Sequence, residues 1–119
     1  MKATKLKEGI YWVGAVDWNI RNFHGYSTEQ GTSYGAYLIV DEKVTLIDTV
    51  KAPFAEEMIS RISDILPPEN IDIIISNHVE MDHSGALPAI RKPTRPFIRA
   101  ARRVQKDLPL IMATMDICL

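Results

Sequence analysis

Residues 76–88 read Ser76-Asn77-His78-Val79-Glu80-Met81-Asp82-His83-Ser84-Gly85-Ala86-Leu87-Pro88, directly behind the apolar run Ile71-Asp72-Ile73-Ile74-Ile75. A short, nearly all-apolar run is the pattern of a strand buried on both faces, as in a sheet covered by helices. A loop just past the carboxyl end of such a strand is where α/β folds place ligands. This loop packs two histidines and two carboxylates into six residues. His78, Glu80 and Asp82 alternate, so an extended backbone aims all three to one side, whereas His83 points elsewhere and can serve a neighbouring ion. That spacing suits a two-metal site, with metals about 3.5–4 Å apart. Imidazole and carboxylate donors fit iron, manganese or zinc. Carboxylate oxygen in place of a second imidazole favours iron-type chemistry. Gly85 permits a tight backbone and Ser84 can cap the helix that follows. The competing reading is a plain solvated loop, and four ligand-type side chains in six residues weigh against it.

Working outward, Pro53 opens a helix in which Phe54, Met58, Ile59, Ile62, Ile65 and Leu66 recur at helical spacing. Glu56 and Glu57 sit near its positive end, and Pro67-Pro68 stop it. Upstream, Tyr34–Val40 and Val44–Val50 are apolar runs joined by Asp41-Glu42-Lys43, a hairpin pattern. Residues 9–16 (GIYWVGAV) predict one strand. Residues 17–33 lose all periodicity and predict a long loop. Downstream, residues 86–92 predict a short helix closed by Pro93. Residues 97–108 suit a basic helix, and residues 108–119 an apolar segment. Strand, hairpin, helix, strand and helix together make a mixed α/β sheet with helices packed on it.

The chain has 119 residues, enough for one domain. Its formal net charge of -1 gives no global pull toward nucleic acid. Half of the basic residues nevertheless fall between Arg91 and Lys106, with no acid among them. Cys118 is the only cysteine, which excludes an internal disulfide and suits a reducing compartment. No apolar run is long enough to span a membrane, and the first residues lack the apolar region of a signal peptide. A cytoplasmic location is expected.

The motif His78-Val79-Glu80-Met81-Asp82-His83 resembles the H-x-E-x-D-H signature of the flavodiiron proteins, a branch of the metallo-β-lactamase fold. Hydrolases of that fold usually carry H-x-H-x-D-H, so Glu80 is the discriminating residue. Residues 11–28, 31–54 and 71–90 each resemble the family as well, which extends the likeness from residue 1 to about 92. Gly35 stands where the family commonly has Asn.

The resemblance implies the amino-terminal portion of an αββα domain that holds two irons, joined in the family to a flavodoxin-like domain holding FMN. Such proteins reduce dioxygen, nitric oxide or both, with electrons from rubredoxin or a related donor. His78 and Glu80 would then bind one iron and Asp82 the other. Family members differ in whether the histidine matching His83 coordinates. Asp48, ending the Leu46-Ile47-Asp48-Thr49 strand, is expected to hydrogen-bond a ligand or backbone; a plain strand-end cap is the competing role. His24 suits a pocket lining or a face toward FMN, against simple exposure. Trp12, Trp18 and Met81 are expected to pack.

The resemblance further implies that a histidine, a bridging carboxylate and another histidine come from well downstream. Only His24, His78 and His83 are present. Residues 1–92 are thus expected to form a partial metallo-β-lactamase-like domain, and residues 93–119 a basic and apolar tail outside the family pattern. An apparently truncated chain with a shifted reading frame from about residue 95 would produce such a tail. The isolated chain is not expected to turn over oxygen or nitric oxide, and its uncovered apolar faces predict self-association. Two other readings remain. One is a zinc hydrolase of the same fold. The other is a non-enzymatic module whose Arg99, Arg102, Arg103 and Lys106 share a helical face for an anionic partner or nucleic acid.

Overall fold

The computed structural model describes residues 1–23, 26–27, 30–78, 80–94 and 97–100, with side chains for 1–21, 30–78 and 80–91. In chain order the strands are β1 (Thr4–Lys7), β2 (Ile10–Trp12), β3 (Ala15–Asp17), β4 (Asn22–Phe23), β5 (Tyr26–Ser27), β6 (Thr32–Tyr34), β7 (Tyr37–Val40) and β8 (Val44–Ile47). Helix α1 (Ala55–Ser63), strand β9 (Ile73–Ser76), helices α2 (Met81–Ser84) and α3 (Leu87–Thr94), and strand β10 (Phe97–Ala100) follow. A six-stranded sheet is ordered β1-β2-β7-β8-β9-β10, and β3-β6 and β4-β5 form two small ribbons. The β7–β8 pair is the expected antiparallel hairpin, while β8, β9 and β10 run parallel. The fold is therefore the mixed α/β sheet that the apolar runs predict.

One row of side chains explains why these strands pack. Leu38 pairs with Leu46 and Leu46 with Ile74 across three strands, and all three are fully buried. They join Met58 and Ile62 of α1 and Leu87 and Ile90 of α3 in one core cluster. Each such side chain contributes about 1.5–3 kcal/mol by leaving water. Helix α1 has Glu56 and Glu57 in its first turn and Arg61 in its last, matching its macrodipole. It ends at Ser63, ahead of the two prolines, and Pro68–Asn70 form a separate turn of 3-10 helix.

Several expectations fail for identifiable reasons. The single strand over residues 9–16 is split into β2 and β3. A β-carbon at Gly14 would collide with the Tyr34 carbonyl, so the chain passes there only as glycine. The long loop contains the short ribbon β4–β5. Helix α3 runs through Pro93 to Thr94. The expected basic helix is wrong over residues 97–100, which form β10 in parallel register with β9. Arg99 lies in that strand, and Arg102, Arg103, Lys106 and Cys118 lie outside the described residues. Among the described residues no helix is long and apolar enough to cross a membrane.

Candidate metal centre

Strand β9, between β8 and β10, delivers the motif to the carboxyl end of the parallel strands. Ser76 is buried, and its hydroxyl donates to the His78 carbonyl at 3.2 Å, turning the chain out of the strand. Glu80 is extended, with φ -64 and ψ 152, and α2 begins at the next residue. His78, Glu80 and Asp82 therefore do not share one extended face: Asp82 and His83 stand on a helical turn. The Ser84 hydroxyl donates back to the Glu80 carbonyl at 3.1 Å, inside that turn. Gly85 has ordinary helical dihedrals and is needed for close approach instead, since a β-carbon there would lie 2.7 Å from Ala52 N and 3.1 Å from Lys51 Cα.

The donors form two pairs. His78 accepts the Glu80 amide N–H at Nδ1 (3.2 Å), which leaves Nε2 facing Glu80 Oε1 at 3.7 Å. His83 Nε2 lies 3.2 Å from Asp82 Oδ2, and its Nδ1 lies 3.4 Å from Asp48 Oδ2. The two imidazoles are neighbours, with ring centroids 5.1 Å apart. His78 and Glu80 are about half exposed while Asp82 is buried, so the cluster runs from a wet end to a dry end.

Asp48 hydrogen-bonds backbone at this corner, as both of its expected roles allow. Its Oδ1 accepts the Asn77 amide N–H at 2.8 Å and its own N–H donates to the Ile75 carbonyl at 2.8 Å, tying the end of β8 to the end of β9. It holds φ at 59°, a left-handed conformation that asparagine and aspartate tolerate better than other non-glycine residues. Thr49 follows, 1% exposed, with N–H and Oγ1–H both donating to the His83 carbonyl at 2.8 Å. Sequence reasoning passed over Thr49; its position directly after Asp48 at a strand end was the available signal.

A second group missed from sequence lies beside the loop. The buried Tyr34 donates its phenol to Asp17 Oδ2 at 2.7 Å, while Asp17 Oδ1 accepts the amides of Asn19 and Ile20. Its ring packs on Phe54 and lies under the Lys51 ammonium, 5.4 Å from the centroid. Burial, then the Asp17 hydrogen bond, pushes the Tyr34 phenol well above its ordinary range, with a further contribution from Asp82. The same hydrogen bond is the largest cause of a lowered Asp17 carboxyl. Of the residues expected to pack, Trp12 is half-buried under the Arg61 guanidinium, but Trp18 and Met81 are exposed on the surface. His24 lies outside the described residues.

The donor types fit an iron-class cation, and His83 Nδ1, 3.4 Å from Asp48 Oδ2, is a buried nitrogen with no hydrogen-bond partner among the described residues. They fit as two pairs: among the described residues no three His, Cys, Asp or Glu side chains form a group able to hold a metal ion.

No protein-family model matches the chain. A nitric oxide reductase of Moorella thermoacetica is 58% identical over 87 residues, covering 71% of this chain and 22% of that protein. A rubredoxin-oxygen oxidoreductase of Megalodesulfovibrio gigas is 48% identical over 97 residues, covering 81% of this chain and 24% of its own length. The solved rubredoxin oxygen:oxidoreductase from Desulfovibrio gigas superposes on 99% of this chain and 29% of its own, with TM-score 0.88 and 41% identity. A metallo-β-lactamase variant from Cronobacter sakazakii, 15% identical with TM-score 0.62 over 82% of this chain, shares the fold alone. The chain spans about a quarter of the length of these flavodiiron relatives. The solved flavodiiron protein from Giardia intestinalis superposes on 98% of this chain and 29% of its own, with TM-score 0.87 and 39% identity. With these sequence identities and superpositions, the chain belongs to the flavodiiron protein family and carries part of its metallo-β-lactamase-like fold.

Proposed function

We propose that the chain is a fragment of a flavodiiron oxidoreductase and supplies one half of a non-haem diiron site for reduction of oxygen, nitric oxide or both. The observation that carries this reading is the placement of two imidazole–carboxylate pairs, His78–Glu80 and His83–Asp82, just past the carboxyl end of β9, in a chain 58% identical over 87 residues to a nitric oxide reductase. His78 and Glu80 would hold one iron and Asp82 the other, with His83 as a fourth donor. Bound iron supplies one-electron redox chemistry toward a small gas. The protein's own part is to present two imidazole–carboxylate pairs on a short turn braced from behind by Asp48 and Thr49. The remaining donors, and the FMN that delivers electrons in the family, would come from outside this segment. The name of the Megalodesulfovibrio relative supports rubredoxin as the electron donor of the whole protein. Two imidazole–carboxylate pairs alone would bind iron weakly and stay open to water, so the isolated chain is expected to be inactive.

The experiment is metal selection under competition. Equimolar anaerobic Fe(II) and Zn(II) are offered to the chain and to Glu80→His, which restores the imidazole of the hydrolase pattern. Zinc outcompetes ferrous iron at a given imidazole–carboxylate donor set, so the readout is the difference between the two proteins, and a higher iron share in the wild-type chain than in the variant is expected. An unchanged iron share in the variant, together with zinc-dependent esterase activity in the wild-type chain, would support the zinc-hydrolase reading instead.

A further inference from the structure

Helix α2 is a single turn, too short to hold its own geometry by internal hydrogen bonds. The carbonyls near its carboxyl end lack helical partners unless something else supplies them. Thr49 supplies two donors to one of these, the carbonyl of His83, through backbone N–H and side-chain Oγ1–H at 2.8 Å each. A return bond runs from the Ala86 amide to the Val50 carbonyl at 2.8 Å, so residues 49–50 and 83–86 are cross-braced. The left-handed turn at Asp48 makes this possible, because it brings the Asp48 carboxylate and the Thr49 hydroxyl against the same residue. Fixing the His83 peptide plane fixes the direction of its Cα–Cβ bond, and only the two side-chain torsions remain to aim the imidazole.

We propose that Thr49 is a positioning residue that aims the His83 imidazole through the His83 carbonyl. It rests on the reading of His83 as a metal donor, and deepens it by naming what sets the ring. Valine in place of threonine keeps the shape and the backbone N–H and removes only the hydroxyl bond. The consequence is a His83 ring that samples other orientations, which reduces the iron affinity of the site by the ten- to hundredfold typical of residues that orient a ligand.

The test uses the full 119-residue chain with isotope-labelled histidine. In Thr49→Val the ring resonances assigned to His83 (by their loss in His83→Asn) are expected to move, and in Thr49→Ser to return. Anaerobic Fe(II) affinity is expected to fall ten- to hundredfold in Thr49→Val, and not to fall further when the same change is made in the His83→Asn background. Unmoved His83 resonances, or an equal loss of affinity in that background, would overturn the proposal. If Thr49→Val does not fold, Thr49→Ala against Thr49→Ser decides the same question, and wild-type His83 resonances in the alanine variant overturn it. Should the wild-type chain take up no Fe(II), the metal-site reading fails while the ring resonances still decide the role of Thr49.

Discussion

Asp48 shows how much one residue contributes to this corner. Its φ of 59° is a conformation most side chains resist, and its carboxylate is what fastens the turn to Asn77. Asparagine keeps both the backbone tolerance and an acceptor for the Asn77 amide; alanine keeps neither. Asp48→Ala is therefore expected to lower stability by about 1–3 kcal/mol relative to Asp48→Asn, read from urea midpoints. Equal midpoints would mean the corner is held by its neighbours alone. The Tyr34–Asp17 bond is the other residue-scale bond with a signature. Because the Asp17 carboxyl is lowered in the folded chain, its contribution is full above the ordinary carboxylate value and disappears as pH falls through the lowered one. Tyr34→Phe is expected to cost about 1–2 kcal/mol near neutral pH. The gap from wild type should narrow on acidification in denaturation curves taken at stepped pH, and a gap that widens would contradict the assignment.

Elements that depend on their own sequence were legible before the fold was known. The β7–β8 hairpin follows from two apolar runs around Asp41–Lys43, α1 from the spacing of Met58 and Ile62, and β9 from three consecutive isoleucines. What escaped depends on contacts distant in sequence. The break at Val13–Gly14 exists because the Tyr34 backbone passes there, and β10 is a strand because β9 offers it a parallel edge. The donor loop was legible in composition and not in shape, since the turn that lifts Asp82 and His83 off the extended path is braced by Thr49, over thirty residues away. The same contrast predicts mutant costs within β9. Ile74→Ala, at the centre of the buried row, is expected to cost about 2–5 kcal/mol. Ile75→Ala, on the half-buried face, should cost clearly less, and the reverse order of thermal midpoints would contradict the facing assigned to the strand.

At the scale of the molecule, the two faces of the sheet differ. Leu38, Leu46 and Ile74 are sealed under α1 and α3, whereas Ile39, Ile47, Ile73 and Ile75 opposite are half-buried and Tyr37 is 39% exposed. An apolar face of this kind favours contact with further protein, and concentration-dependent self-association is expected in sedimentation velocity. Ile47→Asp should reduce it. A monomer at every concentration, with no apolar dye bound, would contradict that expectation. The central claim concerns the loop that this sheet presents, and anaerobic Fe(II) titration read at equilibrium, without washing, tests it most directly. Weak but saturable Fe(II) binding by the wild-type chain that is lost in a His78→Ala/Glu80→Ala double variant is the predicted result. The same binding in both proteins would contradict the assignment of these residues as one half of a diiron site.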